Sequence, residues 1–370
     1  MSALYGGNSG DSLNATSGGY LRGWRRDLSD PDAPNGFDAL RFIAATCVLV
    51  GHSWPLTGRK PEPFPGGWDT LGGIGVGVFF VISGFLVAAS RERSATVGSF
   101  LHKRALRILP GFTFVCLLSV FLLGPALTTL PLGEYFDHPQ ARIYFANLTM
   151  FDVQLALPGV FAGNIYPHAV NGSSWTLPIE CFMYLLLAAG GILLRIRWVV
   201  VLIALAAIAG FQVYGLRWAG SGAHLWTTLP LYYTVKYGIF FALGTCAYLW
   251  RNELPLSPLA AVALWVVAFL LRDTPVSIVG YMLALSYSTL VVAALPWPVL
   301  TGFGRWGDFS YGMYLFAFPV QQTVVHLAGP ALSHLLDIAI CFSVTLCLAA
   351  LSWHLVEQPA LELKSVRPRH

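Results

Sequence analysis

Residues 37–54 read FDALRFIAATCVLVGHSW. Apart from Asp38, Arg41 and His52 the stretch is almost wholly apolar, and as a helix it would extend about 27 Å, most of the way across a bilayer. Arg41 and His52 are eleven residues apart. At 100° per residue that is three turns plus about 20°, so both lie on one helix face, about 16 Å apart along the axis. Asp38 falls on nearly the same face. A charge in hydrocarbon costs about 3 kcal/mol on insertion scales, so such residues mark either a site or a buried pair. Taken alone the segment leaves both open. Arg41 is either an interfacial anchor paired with Asp38 or a functional group, and His52 is either a packing histidine or a reactive one.

The whole chain repeats this character. Of 370 residues 56% are hydrophobic and 11% are charged, where soluble domains carry about a quarter. Mean hydropathy is +0.63. This excludes a soluble enzyme, a disordered chain and a collagen-like fibre. The net charge of +4 comes without any dense Lys/Arg run, which argues against nucleic acid as a partner. Ten candidate spans are expected, at about 38–56, 72–90, 107–124, 177–194, 197–214, 230–250, 256–271, 277–295, 308–327 and 333–356. The second, rich in glycine, is the weakest. The stretch 125–176 holds five prolines and reads as one long non-helical outer loop, its 141–162 part apolar enough to re-enter the membrane or cap a cavity. The expected fold is an all-α integral membrane protein, a polytopic bundle of about ten transmembrane helices.

Orientation follows from the basic residues. With the N-terminus inside, the inner loops hold Arg91, Arg93, Lys103, Arg104, Arg107, Arg195, Arg197, Arg251 and Arg305, and the tails add Arg22, Arg25, Arg26, Lys364, Arg367 and Arg369. The outer loops hold Arg59, Lys60, Arg142, Arg217 and Arg272. Arg41 and Lys236 remain within spans. The bias puts both termini in the cytoplasm. Residues 1–35, rich in Gly, Ser, Asn and Asp, read as a flexible cytoplasmic tail with no cleavable signal peptide. Residues 36–360 form the membrane domain and 361–370 a short cytoplasmic tail.

Three further places carry ionisable groups at span level. In HKRALRILPGF (102–112) Arg104 and Arg107 share a face, either as anchors or as a phosphate clamp, since the guanidinium fork matches phosphate oxygens. In NGSSWTLPIECFMYLL (171–186) Glu180 stands just inside the fourth span with Tyr184 one turn on, and a carboxylate there needs a partner. In DFSYGMYLFAFP (308–319) and SWHLVEQPA (352–360) Asp308 reads as an N-cap and Glu357 as an interfacial helix end. In LGGIGVGVFFVISGFL (71–86) Gly73 and Gly77 have the small-xxx-small spacing that lets helices approach closely. Ser83 lies outside any GxSxG elbow and is not cast as a nucleophile. The six cysteines sit in apolar stretches and read as small hydrophobes, and no metal-ligand spacing occurs.

Together these segments resemble acyltransferase family 3, which includes O-antigen and exopolysaccharide O-acetylases. Arg41…His52 fits the family's Arg/Lys, ten residues, His pattern. The run ending FFVISGFL looks like its second-span signature, and Arg104-Ala-Leu-Arg107 fits its RxxR motif. Ser173 to Glu180, SSWTLPIE, resembles its SxWSLxxE segment, while SYGMYLFAFP and VEQP look like its closing helices. The motifs run in order from about 35 to 360. One departure stands out: Ala317 occupies the place of a histidine frequent in the family's YLxHxP segment, so a role that histidine fills elsewhere must be met otherwise.

The resemblance implies a multi-pass protein of the bacterial inner membrane that moves an acyl group, most simply acetyl, from cytoplasmic acyl-CoA to a hydroxyl of a surface or lipid-linked glycan. It implies His52 as general base, its ordinary pKa near 6.5 suiting that task, with Glu180 orienting His52 or binding the acceptor. Arg41, Arg104 and Arg107 would hold the donor, and Ser173, Trp175 and Tyr184 would contact the acceptor. Acyl-CoA is a substrate; no permanently bound cofactor and no metal are expected. The rivals are acylation of a small molecule, lipid or peptide, and, from another class, a transporter or flippase. The oligomeric state is not readable.

Overall fold

The computed structural model describes Leu28 and residues 35–59, 61–226, 228–329 and 332–363. The remainder of the N-terminal tail, Lys60 and the tail from Lys364 onward lie outside the described residues, and with them the basic residues Arg22, Arg25, Arg26, Lys364, Arg367 and Arg369. Ten principal helices follow one another: α1 (Phe37–Thr57), α2 (Leu71–Glu92), α3 (Val97–Leu118), α4 (Leu177–Ala189), α5 (Arg197–Ser221), α6 (Leu231–Leu249), α7 (Pro258–Leu270), α8 (Ser277–Ala293), α9 (Ser310–Ala328) and α10 (His334–Ser352). Each overlaps one of the ten expected spans, α3 only over its second half, but not all ten qualify as spans. Among the described residues, five helical segments are long and apolar enough to cross a membrane alone: α1, α2, α5, Val97–Leu127 and His334–Glu362. A sixth follows if α8 is joined to Pro298–Trp306 across a bend of 87°. The others fall short for identifiable reasons. α4 and α7 have 13 residues each, about 20 Å of helix. α6 and α9 are long enough, but carry the buried polar residues Thr234, Lys236, Thr245, Gln321 and Gln322.

Local chemistry explains the boundaries. Thr70 caps α2 by accepting from the Gly73 N–H at 3.0 Å. Thr96 caps α3 by accepting from Ser99 at 3.1 Å. That cap starts α3 ten residues earlier than the hydrophobic pattern suggests, so Arg104 and Arg107 lie within the helix and not ahead of it. α2, expected to be the weakest span, has the largest buried share of the membrane-length helices. Its glycines are the reason. A Cβ at Gly84 would stand 2.0 Å from the Phe241 carbonyl oxygen, and one at Gly244 2.1 Å from that of Val81, so α2 and α6 meet backbone to backbone. On its other side a Cβ at Gly75 would stand 2.5 Å from the Ala44 carbonyl oxygen of α1. The close approaches therefore fall at Gly75 and Gly84. Gly77 meets side chains, and Gly73 meets the carboxylate of Asp69 in its own first turn.

Lys236 is matched by Asp69, Nζ to Oδ2 at 2.7 Å, with both side chains more than nine-tenths buried. Tyr281 of α8 donates to the same carboxylate at 3.3 Å. An unpaired lysine at this depth would be strongly destabilising, so the pair ties the start of α2 to α6 and α8. Nearby, burial and then the charge of Asp69 push the Glu62 carboxyl above its usual range.

The 125–176 stretch is not wholly non-helical. Its prolines cut it into short pieces: Leu132–Asp137 after Pro131, Pro139–Ile143 with proline in its first turn, and a 3-10 turn Tyr144–Thr149. The pieces pack down. Tyr135 is fully buried and donates to the Val120 carbonyl at 2.9 Å. The Gln322 amide of α9 donates at 2.7 Å to both the Tyr166 and the Ala169 carbonyls, which fixes the later part of the segment onto the bundle. All six cysteines are free.

Candidate active site

Near the start of α1, midway along α3 and just ahead of α9, the carboxylate of Asp308 lies between two arginines. Arg107 donates to Oδ2 at 2.5 Å, and Arg41 approaches the same oxygen at 3.0 Å while also bonding Asp38. Asp308 Oδ1 accepts from the Ser310 N–H at 3.2 Å, but the N-cap position of α9 is taken by Phe309, so Asp308 stands one residue ahead of the capping role expected of it. The residue also neutralises two basic groups brought from other helices.

Arg104, one turn earlier on α3, is placed differently. Its guanidinium reaches the Ser90 hydroxyl of α2 at 3.5 Å and lies 6.0 Å from the Tyr184 ring, while its Nε is buried with no partner. One turn deeper, Glu180 accepts hydrogen bonds from Tyr184 and, at 3.2 Å, from Ser83. The Ser83 and Tyr184 hydroxyls are 3.3 Å apart.

These groups line a cavity of about 110 Å³ between α1, α2, α3, α4 and α9. Along α2 the lining runs from Val87 to Val76, about 16 Å of helix. The polar end holds Arg41, Arg104, Arg107, Ser83, Glu180 and Tyr184; the opposite end is made by Val76, Phe79, Phe80, Thr176 and Tyr314. There the Tyr314 hydroxyl meets Thr176 Oγ1 at 2.5 Å and donates to the Ser173 carbonyl at 2.8 Å, and its ring takes Phe79 edge-on at 5.7 Å.

His52 does not line this cavity. Its ring stands edge-on to Phe318 at 5.3 Å, one turn of α9 beyond Tyr314, and its Nδ1 is buried without a partner. Phe318 is wedged in turn, since a Cβ on Gly172 would come within 2.4 Å of it and Tyr166 flanks it at 6.0 Å. The bonds that Glu180 accepts come from Ser83 and Tyr184, not from His52, so the expected orientation of the imidazole by this carboxylate is not the geometry adopted. Gln321 is the amide beside that level: Nε2 donates to the Leu49 carbonyl at 2.8 Å, and Oε1 is buried and unpaired.

The other expected contact residues divide. Tyr184 lines the cavity. Trp175 instead packs on Tyr233 and Tyr237 of α6 at 4.8 and 6.0 Å. Ser173 is buried, its hydroxyl unpaired and its carbonyl taken by Tyr314. Sequence reading had no means to add Ser83, Tyr311 or Tyr314 to the lining, although two tyrosines three apart behind Asp308 put two hydroxyl-bearing rings on one face. Glu357 is no interfacial helix end: it is 2% exposed, accepts from Ser352 at 2.7 Å and packs on Gly111 of α3.

The Acyltransferase domain family matches residues 35–354, and the chain belongs to it, that is, to acyltransferase family 3. It is 30% identical to an O-acetyl transferase of Shigella phage Sf6 over 90% of this chain and 97% of that protein. It is 29% identical to Nodulation protein 10 of Rhizobium leguminosarum bv. viciae over 90% and 94% of the two chains. A shorter match, 34% identical over 35% of this chain and 37% of the other, joins it to the exopolysaccharide production protein ExoZ of Rhizobium meliloti (strain 1021). No solved structure matches it. The protein is a multi-pass membrane O-acyltransferase, which sets aside the flippase reading.

Proposed function

We propose that this enzyme transfers an acetyl group from cytoplasmic acetyl-CoA to a hydroxyl of a cell-surface or lipid-linked polysaccharide, at the inner membrane of a bacterium. The observation that carries the reading is the inequality of the three arginines at one mouth of a single slot. Arg41 and Arg107 are both ion-paired with Asp308, whereas Arg104 makes no salt bridge among the described residues and reaches only the Ser90 hydroxyl. A cationic fork left open at the entrance suits the phosphates of an acyl-CoA. The basic bias of the loops supports a cytoplasmic entrance, and the name of the ExoZ relative supports a polysaccharide acceptor.

In this reading the phosphates rest on Arg104 and the thioester extends inward past Ser83 and Tyr184 toward Tyr314. The acceptor hydroxyl comes from the other side, where His52 stands. His52 takes the hydroxyl proton as that oxygen attacks the thioester carbonyl; the carbon–sulfur bond breaks, and the thiolate leaves and takes up a proton as free coenzyme A. Such general-base assistance contributes about 10²–10⁴ in rate. The layer of Tyr314 and Phe318 between the two approaches has to part for the carbonyl and the hydroxyl to meet. His52→Ala in membranes that retain normal amounts of protein tests the assignment: glycan acetylation at the wild-type level would remove His52 from the chemistry.

A further inference from the structure

The end of the slot farthest from the arginines is closed by parts that differ in how firmly they are held. Tyr314 is tied twice, to Thr176 at 2.5 Å and to the Ser173 carbonyl at 2.8 Å. Phe80 is stacked on Tyr237 at 5.2 Å. Val76 is 6% exposed and sits beside Gly75, where α2 presses on the backbone of α1. Phe79 is only half-buried and touches the closed end through one edge contact with Tyr314. It is the large side chain that reaches into the slot from the helix packed backbone to backbone against α1 and α6.

We infer that Phe79, backed by Val76, sets the length of the acyl chain the enzyme accepts. The inference rests on the donor orientation proposed above, with phosphates at Arg104 and the acyl group at the Phe79 end. An acetyl group ends against the Phe79 ring; each further methylene meets the ring and the Tyr314–Thr176 hydrogen bond. A hydrophobic pocket discriminates single methylenes by about 10- to 200-fold, and here the wall that carries Phe79 is held by the backbone contacts of α2 with α1 and α6. Removing the ring opens space lined by Val76, Phe80 and Ile82, all apolar, so a longer chain gains contacts where it met a clash.

The test is the affinity of the full-length protein, purified in detergent, for coenzyme A, acetyl-CoA, butanoyl-CoA and hexanoyl-CoA, compared between wild type, Phe79→Ala and the milder Phe79→Leu. The quantity read is the ratio of hexanoyl to acetyl affinity, so any general loss cancels. Wild type is expected to favour acetyl-CoA at least tenfold, and Phe79→Ala to shrink that preference by about tenfold or reverse it, with Phe79→Leu between. Should Phe79→Ala not fold, Phe79→Leu must still move the ratio in the same direction. A wild type that binds acetyl-CoA but binds hexanoyl-CoA equally well, or a ratio unmoved in both variants, overturns the ruler and leaves the donor site standing. A wild type that binds neither coenzyme A nor acetyl-CoA overturns the donor site itself, and the ruler with it.

Discussion

The arginine end of the cavity and the layer around His52 solve opposite problems. At the arginine end, charges from α1, α3 and α9 are matched to one another, Asp308 serving Arg41 and Arg107 together, although the Nε atoms of Arg41 and Arg104 are buried without a hydrogen-bond partner. Around His52 the polar atoms are left over: Nδ1 of the imidazole and Oε1 of Gln321 are buried with no hydrogen-bond partner. Buried polar groups are normally satisfied, and leaving one unmade costs about 1–3 kcal/mol. The difference separates scaffold from chemistry. Paired charges hold three helices in register, while unpaired groups stay available to a substrate.

That contrast can be broken most sharply at its two ends. His52→Ala is expected to lower acetyl transfer by about 10²–10⁴-fold with the unfolding midpoint nearly unchanged, measured as ester formed in membranes against thermal unfolding in detergent. Asp308→Ala is expected to do the reverse. With Arg107 left without its carboxylate and Arg41 left with Asp38 alone, it should cost up to about 3 kcal/mol of stability, read as a lower unfolding midpoint and less protein in the membrane, and Asp308→Asn should be milder because the amide still accepts. If Asp308→Ala unfolds at the wild-type temperature, the arginine end is not the clamp described.

Arg104 and Arg107 sharpen the comparison within one helix. Arg104→Ala is expected to raise the acetyl-CoA concentration needed for half-maximal rate by about tenfold or more, the worth of a charge-assisted contact, with little change in stability. Arg107→Ala should instead lower stability, because it takes from Asp308 one of its two guanidinium partners. Equal effects of the two substitutions on donor dependence would return both to one phosphate clamp. The smallest effect is expected for Tyr314→Phe, which removes one hydroxyl with two partners. It should cost about 1 kcal/mol of stability, and measured acyl selectivity should loosen along with it.

How much of this was legible in the sequence depends on whether the information lay along one helix or between helices. The ten helix positions followed from hydrophobic runs, and the shared face of Arg41 and His52 from helical arithmetic. Arg41, Arg104, Arg107, Glu180 and Tyr184 all come to one cavity. The assignment of partners did not follow. Spacing puts His52 above Arg41, but only the packing of α9 decides that Phe318, and not Glu180, stands at that height. The glycines of α2 read as weakness because their use is visible only from the backbone of α6. Asp308 read as a cap because the two arginines it serves lie more than 200 residues away in the chain.

The backbone contacts at Gly75, Gly84 and Gly244 have a consequence in terms of tolerances. With main chain against main chain on both sides, α2 has no play, and the cavity wall it supplies acts as the fixed jaw of a vice. Adjustment in the width of the slot then falls to α3, α4 and α9, and Tyr314 of α9 is held by hydrogen bonds to Ser173 and Thr176 in the turn just ahead of α4.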